Sequence, residues 1–237
     1  MDEVIRRGPE DMGGGLGGDV GTVVGLMRGM DAALPAADGL AVFNRVYLSV
    51  TEEVQRRLAA AGFTDRTAAA ELSVRFAGRY LAAVADDAAG RRPPACWRPL
   101  LRMRGRPGIH PLQFALAGIN AHIGHDLALA VVDTCRATGR GLPALKADFD
   151  RVGEVLTLIE ERVREELMPG PDLLDRADPL THLVGSWSLD RARDAAWAAA
   201  RLLWALRDTD DAYEECVSRL DAGVGLISRL LLTPLDR

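Results

Sequence analysis

The feature that most restricts the fold is a long apolar stretch from Pro111 to Thr138, in which apolar side chains recur at helical spacing. Its core-facing positions are Leu112, Leu116, Ile119, Ile123 and Leu127. Pro111 suits the first turn of a helix, because an N–H at that position would have no partner within the helix. The sequence therefore predicts a helix over 111–138 that supplies one face of a protein core.

Apolar residues spaced three and four apart along the rest of the chain predict further helices. One runs from Val20 to about Leu34, where Pro35 ends it. The next begins after Asp38, and the Thr51-Glu-Glu segment indicates either a bend or a new helix there. The following helix is capped by Thr64 or Asp65 and ends before the Gly90 break, and residues 90–109 read as irregular. Later helices are predicted over 144–168, 171–185, 189–208 and 210–231.

Composition supports a helical fold, because Ala, Leu and Arg dominate while the β-favouring residues Ile, Thr, Tyr and Phe are sparse. We find no internal repeat and no second composition regime. We therefore expect an all-α, single-domain bundle of about eight helices over 19–237. A flexible Gly-rich arm over 1–18 precedes it. Glycines in that arm match G-x-G-x-x-G, but no βαβ unit surrounds them, so we do not expect a dinucleotide site.

Charge and cysteine usage exclude several classes of protein. The formal net charge of -5 argues against a general nucleic-acid binder. No stretch is read as a membrane span or a secretory signal. The three cysteines, Cys96, Cys135 and Cys216, lie far apart, which predicts reduced thiols and neither a disulfide framework nor a zinc knuckle. We expect a cytoplasmic protein.

The predicted central helix carries polar residues inside its apolar sequence: Gln113, Asn120, His122, His125 and Asp126. His122 and Asp126 stand at i and i+4, so they share a face and can meet. A carboxylate beside an imidazole raises its pKa and orients it, which serves a general base, an electrostatic stabiliser or a pair of metal ligands. The alternative is a buried pair that only orients neighbouring helices. Because no second ligand pair stands out, we expect no metal, with a divalent metal kept as an alternative.

Three segments resemble an uncharacterised, all-helical bacterial family of unknown function. They are residues 38–51, residues 72–80 and the segment Gly118-Ile-Asn-Ala-His-Ile-Gly-His-Asp-Leu127. The last is similar to the family's Gly-Ile-Asn-Ala-His-Ile-x-x-Asp-Leu helix, and the resemblance covers about residues 36–215. Gly124 departs from the asparagine usual in the family. The resemblance implies a helical fold and no established reaction.

Residues in these segments and in the irregular region widen the candidate site. Asp38 is either a helix cap or a second carboxylate. Candidates for lining a cavity with His122 are Arg45, Tyr47, Arg75, Tyr80, Trp97 and Arg102. The arginine-rich connector over 91–106 reads in three ways: a site for an anion or an acidic carrier protein, a nucleic-acid site, or a solvated face.

The leading hypothesis is a metal-free acid/base enzyme of a biosynthetic tailoring pathway, of the elimination or ring-closing cyclase type. His122 would be the acid/base, Asp126 its orienter, and Asn120 and Gln113 would position a small polar or anionic, carrier-bound or free substrate between helices. The sequence offers no convincing nucleophile, which favours lyase or cyclase chemistry over hydrolysis. The alternatives are a metal-dependent hydrolase with His122 and Asp126 as ligands, and a non-catalytic helical module that binds an acidic partner.

Overall fold

The computed structural model describes residues 19–167 and 188–234 of the chain. These residues form eight helices and no strand, so the expected all-α, single-domain fold is confirmed. The helices are α1 (Val20–Ala33), α2 (Gly39–Ala59), α3 (Arg66–Ala88), α4 (Arg98–Met103), α5 (Pro111–Thr138), α6 (Leu142–Leu167), α7 (Leu189–Leu206) and α8 (Asp210–Leu231). The predicted arm over 1–18 and the predicted helix over 171–185 lie outside the described residues.

Helix α5 occupies the centre of the bundle. Its first part, Pro111–Ala121, packs against α2 and α8, and its last part, Leu127–Thr138, packs against α3 and α7. Between them the helix widens into a π-helical turn over His122–Asp126. Four helices therefore surround the polar residues that the sequence places on α5.

By length and composition alone, helix α5 could cross a membrane, although the sequence analysis predicts no membrane span. Within the bundle, 83% of its most apolar window of 18 residues is buried. Neighbouring helices therefore cover the apolar surface of α5.

Small residues allow α5 and α2 to approach closely. A Cβ atom on Gly118 would lie 2.3 Å from Cδ2 of Phe43, and one on Gly39 would lie 2.4 Å from Cδ1 of Phe114. Each glycine therefore accepts an aromatic ring from the other helix. Gly124 is also packed closely, because its Cβ would lie 3.2 Å from Cγ2 of Val224 on α8. The glycines of α5 thus provide helix–helix contact.

Two local predictions differ from the structure. No new helix begins at Thr51, because α2 continues through it to Ala59, and the Thr51 hydroxyl donates to the carbonyl of Tyr47 at 2.8 Å. The region 90–109 was read as irregular, yet it contains the short helix α4. Pro99 lies in the first turn of α4, where a proline is well tolerated.

The close contact at Gly118 gives a stability prediction. We expect Gly118→Ala to destabilise the protein by about 1–3 kcal/mol, because the added methyl group overlaps the buried ring of Phe43. Gly25→Ala is the matched control, since nothing lies within 4 Å of its Cβ position on helix α1. That change should stabilise the protein by up to about 1 kcal/mol through helix propensity. Urea unfolding of both variants measures the difference, and equal effects would contradict the packing described above.

Candidate functional site

The candidate site is a buried polar cluster at the π-helical turn of α5. In a regular α-helix, neighbouring residues point in different directions, so adjacent side chains do not meet. Here His125 and Asp126 do meet, with Nδ1 of His125 lying 2.8 Å from Oδ1 of Asp126. The i and i+4 contact expected from the sequence is also present, with Nδ1 of His122 lying 3.0 Å from Oδ2 of Asp126. The turn therefore brings both histidines to one carboxylate.

Asp126 is the centre of this cluster and receives a third hydrogen bond. The indole Nε1 of Trp97 donates to its Oδ2 at 2.9 Å. The Asp126 side chain is almost completely buried, with 1% of its surface exposed. Burial alone raises the pKa of Asp126, but the hydrogen bonds from His122 and His125 outweigh it, so the pKa lies below its ordinary value. Asp126 is therefore a buried, ionised carboxylate.

His122 lies within a group of aromatic rings. Phe76 stacks on its imidazole with ring centroids 3.6 Å apart, and Tyr47 approaches edge-on at 4.3 Å. Rings with centroids about 6 Å away complete the surroundings: Phe43, Tyr80 and Trp97. Burial lowers the pKa of His122 below 6.5, despite the opposing effect of Asp126. A neutral imidazole that donates through Nδ1 follows from this arrangement.

The two ring nitrogens of His122 differ, because Nδ1 is bonded to Asp126 and Nε2 is not bonded within the part of the chain that the structure describes. Its Nε2 atom is buried and has no hydrogen-bond partner among the described residues. Buried polar atoms usually have a partner, since an unpaired one is unfavourable by about 1–3 kcal/mol. Nε2 is therefore an available proton acceptor inside an apolar enclosure.

The two tyrosines among the predicted site residues contact this enclosure with their rings. The hydroxyl of Tyr80 donates to Oδ1 of Asn44 at 3.2 Å, and Asn44 donates in turn to the carbonyl of Met27 at 2.9 Å. Burial raises the pKa of both Tyr47 and Tyr80. Both phenols therefore remain protonated.

A second group of residues adjoins Asp126 and was not predicted from the sequence. Nε2 of His125 faces Oδ1 of Asp221 on α8 at 4.0 Å. The Asp221 carboxylate accepts the backbone N–H groups of Ala95 and Cys96 at 2.8 and 2.9 Å. The Cys96 thiol lies beside this pair, and its pKa is raised by burial and by the charges of Asp126 and Asp221. Cys96 and Asp221 are 125 positions apart, and neither lies in a recognisable sequence motif. No local signal in the sequence therefore indicated that they meet.

Gln113 and Asn120 face α8. Nε2 of Gln113 donates to the carbonyls of Leu231 and Thr233, both at 2.8 Å. Nδ2 of Asn120 donates to the carbonyl of Val224 at 3.1 Å and to the hydroxyl of Ser228 at 3.0 Å. These bonds attach the end of α8 to α5, so a role for either side chain in binding substrate stays a prediction.

The remaining predicted site residues bind partners other than the imidazole or face solvent. Asp38 caps α2 through the N–H of Leu40 and pairs with Arg104 at 2.7 Å. Arg45 donates to the carbonyl of Ala36, and Arg75 pairs with Glu71 one turn earlier on α3. Arg102 is exposed on α4. Each of these side chains is either paired or solvated in the described structure.

Comparison with known proteins identifies the family to which the chain belongs. No curated protein and no solved structure matches the chain. Residues 20–234 match the model of a family described as "Family of unknown function (DUF5995)". The match spans nearly the whole chain, including α1 to α8 and the cluster around Asp126, so the protein is a member of this family of unknown function.

Proposed function

We propose that the protein is an acid/base enzyme in which His122 moves a proton on a small substrate. The observation that carries this proposal is the unpartnered Nε2 of His122, on an imidazole whose Nδ1 is bound by Asp126. A buried histidine with a purely structural role would be expected to use both ring nitrogens. The neutral imidazole is the form that accepts a proton.

The proposed step is an elimination or ring closure without a covalent enzyme intermediate. Nε2 of His122 removes a proton from the substrate, and the electron pair released forms the new bond while a leaving group departs. The imidazolium then returns the proton to the leaving group. Asp126 would stabilise the imidazolium through Nδ1, as a carboxylate does in a catalytic triad. The apolar surroundings strengthen that interaction, because charges interact more strongly in a low dielectric.

The surroundings also indicate the shape of the substrate. The rings around His122 suit an apolar or unsaturated carbon skeleton at the reacting end. An anionic group at the other end needs a cation, and Arg98 is a candidate because it directly follows Trp97. Its Nε atom is buried without a hydrogen-bond partner among the described residues. We therefore propose an amphipathic substrate with one anionic group, free or attached to an acidic carrier protein.

Two rival functions are less well supported by the geometry. A hydrolase with one metal ion on both His122 and Asp126 would need that ion between Nδ1 of His122 and the Asp126 carboxylate, where the two groups are bonded to each other and the carboxylate also accepts from Trp97 and His125. A binding module without catalytic activity would leave Nε2 of His122 without an explanation.

Replacement of His122 tests the proposed chemistry. We expect His122→Gln to abolish turnover, because the amide can still donate to Asp126 but cannot accept a substrate proton at neutral pH. Wild-type and variant protein would be incubated with a small-molecule extract, and mass spectrometry would identify compounds consumed only by the wild type. The matched control is His110→Asn, which keeps a good N-cap residue at the start of α5 and should retain activity. A variant that is folded and as active as the wild type would exclude His122 as the base.

The lowered pKa of His122 gives a prediction for stability against pH. The unfolded chain binds a proton at this histidine near pH 6.5, whereas the folded chain binds it only at lower pH. The free energy of unfolding should therefore fall as pH decreases below 6.5, by at most about 1.4 kcal/mol per pH unit from this group. Asp126, whose ordinary pKa is 3.8, contributes only at more acidic pH. Urea unfolding between pH 4 and 7 should show a smaller slope in His122→Gln than in the wild type, and identical slopes would contradict a neutral, buried His122.

Charge reversal in the arginine-rich connector over 91–106 tests whether an acidic carrier protein binds there. Arg102→Glu should leave stability within about 0.5 kcal/mol of the wild type, because Arg102 is exposed. The same change should weaken binding of an acidic carrier protein at low salt, as measured by titration calorimetry. Arg201→Glu on α7 provides an exposed arginine outside the connector as a control. Equal binding by the wild type and both variants would argue against docking on residues 91–106.

A further inference from the structure

We infer that Cys96, His125 and Asp221 form a binding site for a divalent zinc ion, beside the His122 pair and independent of its proposed function. The three side chains offer one sulfur, one nitrogen and one oxygen atom, all within 4.8 Å of one another. They come from three separate parts of the fold: the turn before α4, the π-helical turn of α5, and the middle of α8. Ligands in a tetrahedral zinc site lie about 3.5 Å apart, so small side-chain movements complete the geometry.

The orientation of His125 is the first argument for a cation. Its Nδ1 is bound to the ionised Asp126 at 2.8 Å and therefore carries the proton. Nε2 is then the ring nitrogen available to a metal, and it faces the carboxylate oxygen of Asp221 at 4.0 Å. A cation between this nitrogen and the carboxylate would bind both. Histidine ligands of zinc typically donate their second nitrogen to a carboxylate, as His125 does to Asp126.

The position of Cys96 is the second argument. Its thiol is completely buried, with 0% of the residue exposed, and the sulfur lies within 4.8 Å of the ligand atoms of His125 and Asp221. A bound zinc ion favours the thiolate form of a coordinating cysteine and would place a positive charge between this sulfur and the Asp221 carboxylate.

The backbone holds Cys96 and Asp221 together firmly. Asp221 accepts the N–H of Cys96 at 2.9 Å, which joins the two ligand-bearing segments directly. One helical turn later on α8, Gly225 lies against the carbonyl of Ala95, where an added Cβ would be only 2.6 Å from the oxygen. The turn before α4 is therefore in close contact with α8 at Asp221 and again one helical turn later.

The donor set selects the metal. A thiolate, an imidazole and a carboxylate suit zinc, whereas magnesium and calcium prefer oxygen ligands only. Three protein ligands leave the fourth tetrahedral position open, as in catalytic zinc sites. Asp221 is the ligand nearest the surface, with 23% of its side chain exposed, so solvent reaches the site from the α8 side.

The experiment uses the tag-free, full-length protein, stripped with a chelator and then titrated with zinc. We expect binding of about one zinc ion per chain and a rise in melting temperature, since a ligand that binds only the folded state stabilises it. Cys96→Ala and Asp221→Asn should weaken zinc binding by at least about tenfold. Cys135→Ala is the matched control, because it removes another buried, free thiol and should bind zinc as the wild type does.

Two measurements on the wild type keep the test valid if a variant does not fold. X-ray absorption of the zinc-loaded protein should show one sulfur among nitrogen and oxygen neighbours, and the cobalt-substituted protein should show a thiolate-to-metal absorption band. A metal shell without sulfur would overturn the inference, as would a folded wild type that binds no zinc. Binding unchanged in both ligand variants would also overturn it.

Discussion

The arrangement of this bundle depends on one buried charge, the carboxylate of Asp126. An isolated ionised group in a protein interior is strongly unfavourable unless hydrogen bonds replace its lost solvation. Asp126 obtains three such bonds, two from the histidines of its own helix and one from Trp97 in the turn before α4. In a regular α-helix adjacent side chains point in different directions, and the bond from His125 to Asp126 lies within the π-helical turn. The same requirement places the indole, and with it the start of α4, against α5.

The polar residues of α5 make two kinds of contact. His122 and Asp126 point among aromatic rings, whereas Gln113 and Asn120 bind the backbone of α8. The attachment of α8 positions Asp221 opposite His125, which is how a residue late in the chain joins the group around Cys96. Helix α5, whose sequence is mostly apolar, therefore also sets the position of α8 and of both candidate sites.

The parts of this structure that the sequence predicted are those with a local signal. The bounds of α5 follow from Pro111, Gly139 and the apolar spacing between them, and the His122 to Asp126 contact follows from the i and i+4 rule. The new helix considered at Thr51 was wrong, because a threonine hydroxyl can bond to the carbonyl of the preceding turn as well as cap a new helix. The group of Cys96, His125 and Asp221 had no local signal, since it depends on the π-helical turn and on contacts between segments distant in sequence. The sequence left two roles for Asp38, a helix cap or a second carboxylate of the site. The structure shows that it caps α2 and that its charge pairs with Arg104, a residue distant in sequence.

The two proposals meet at Asp126, and this shared residue has a chemical consequence. Zinc on Nε2 of His125 would make its Nδ1–H a stronger donor, because the metal withdraws electron density from the ring. The carboxylate would then be more tightly engaged on the His125 side and less able to stabilise an imidazolium at His122. A zinc-loaded protein should therefore contain a weaker base at His122 than the metal-free form. Zinc would thus act on the proton-transfer chemistry through a single carboxylate, without touching the substrate.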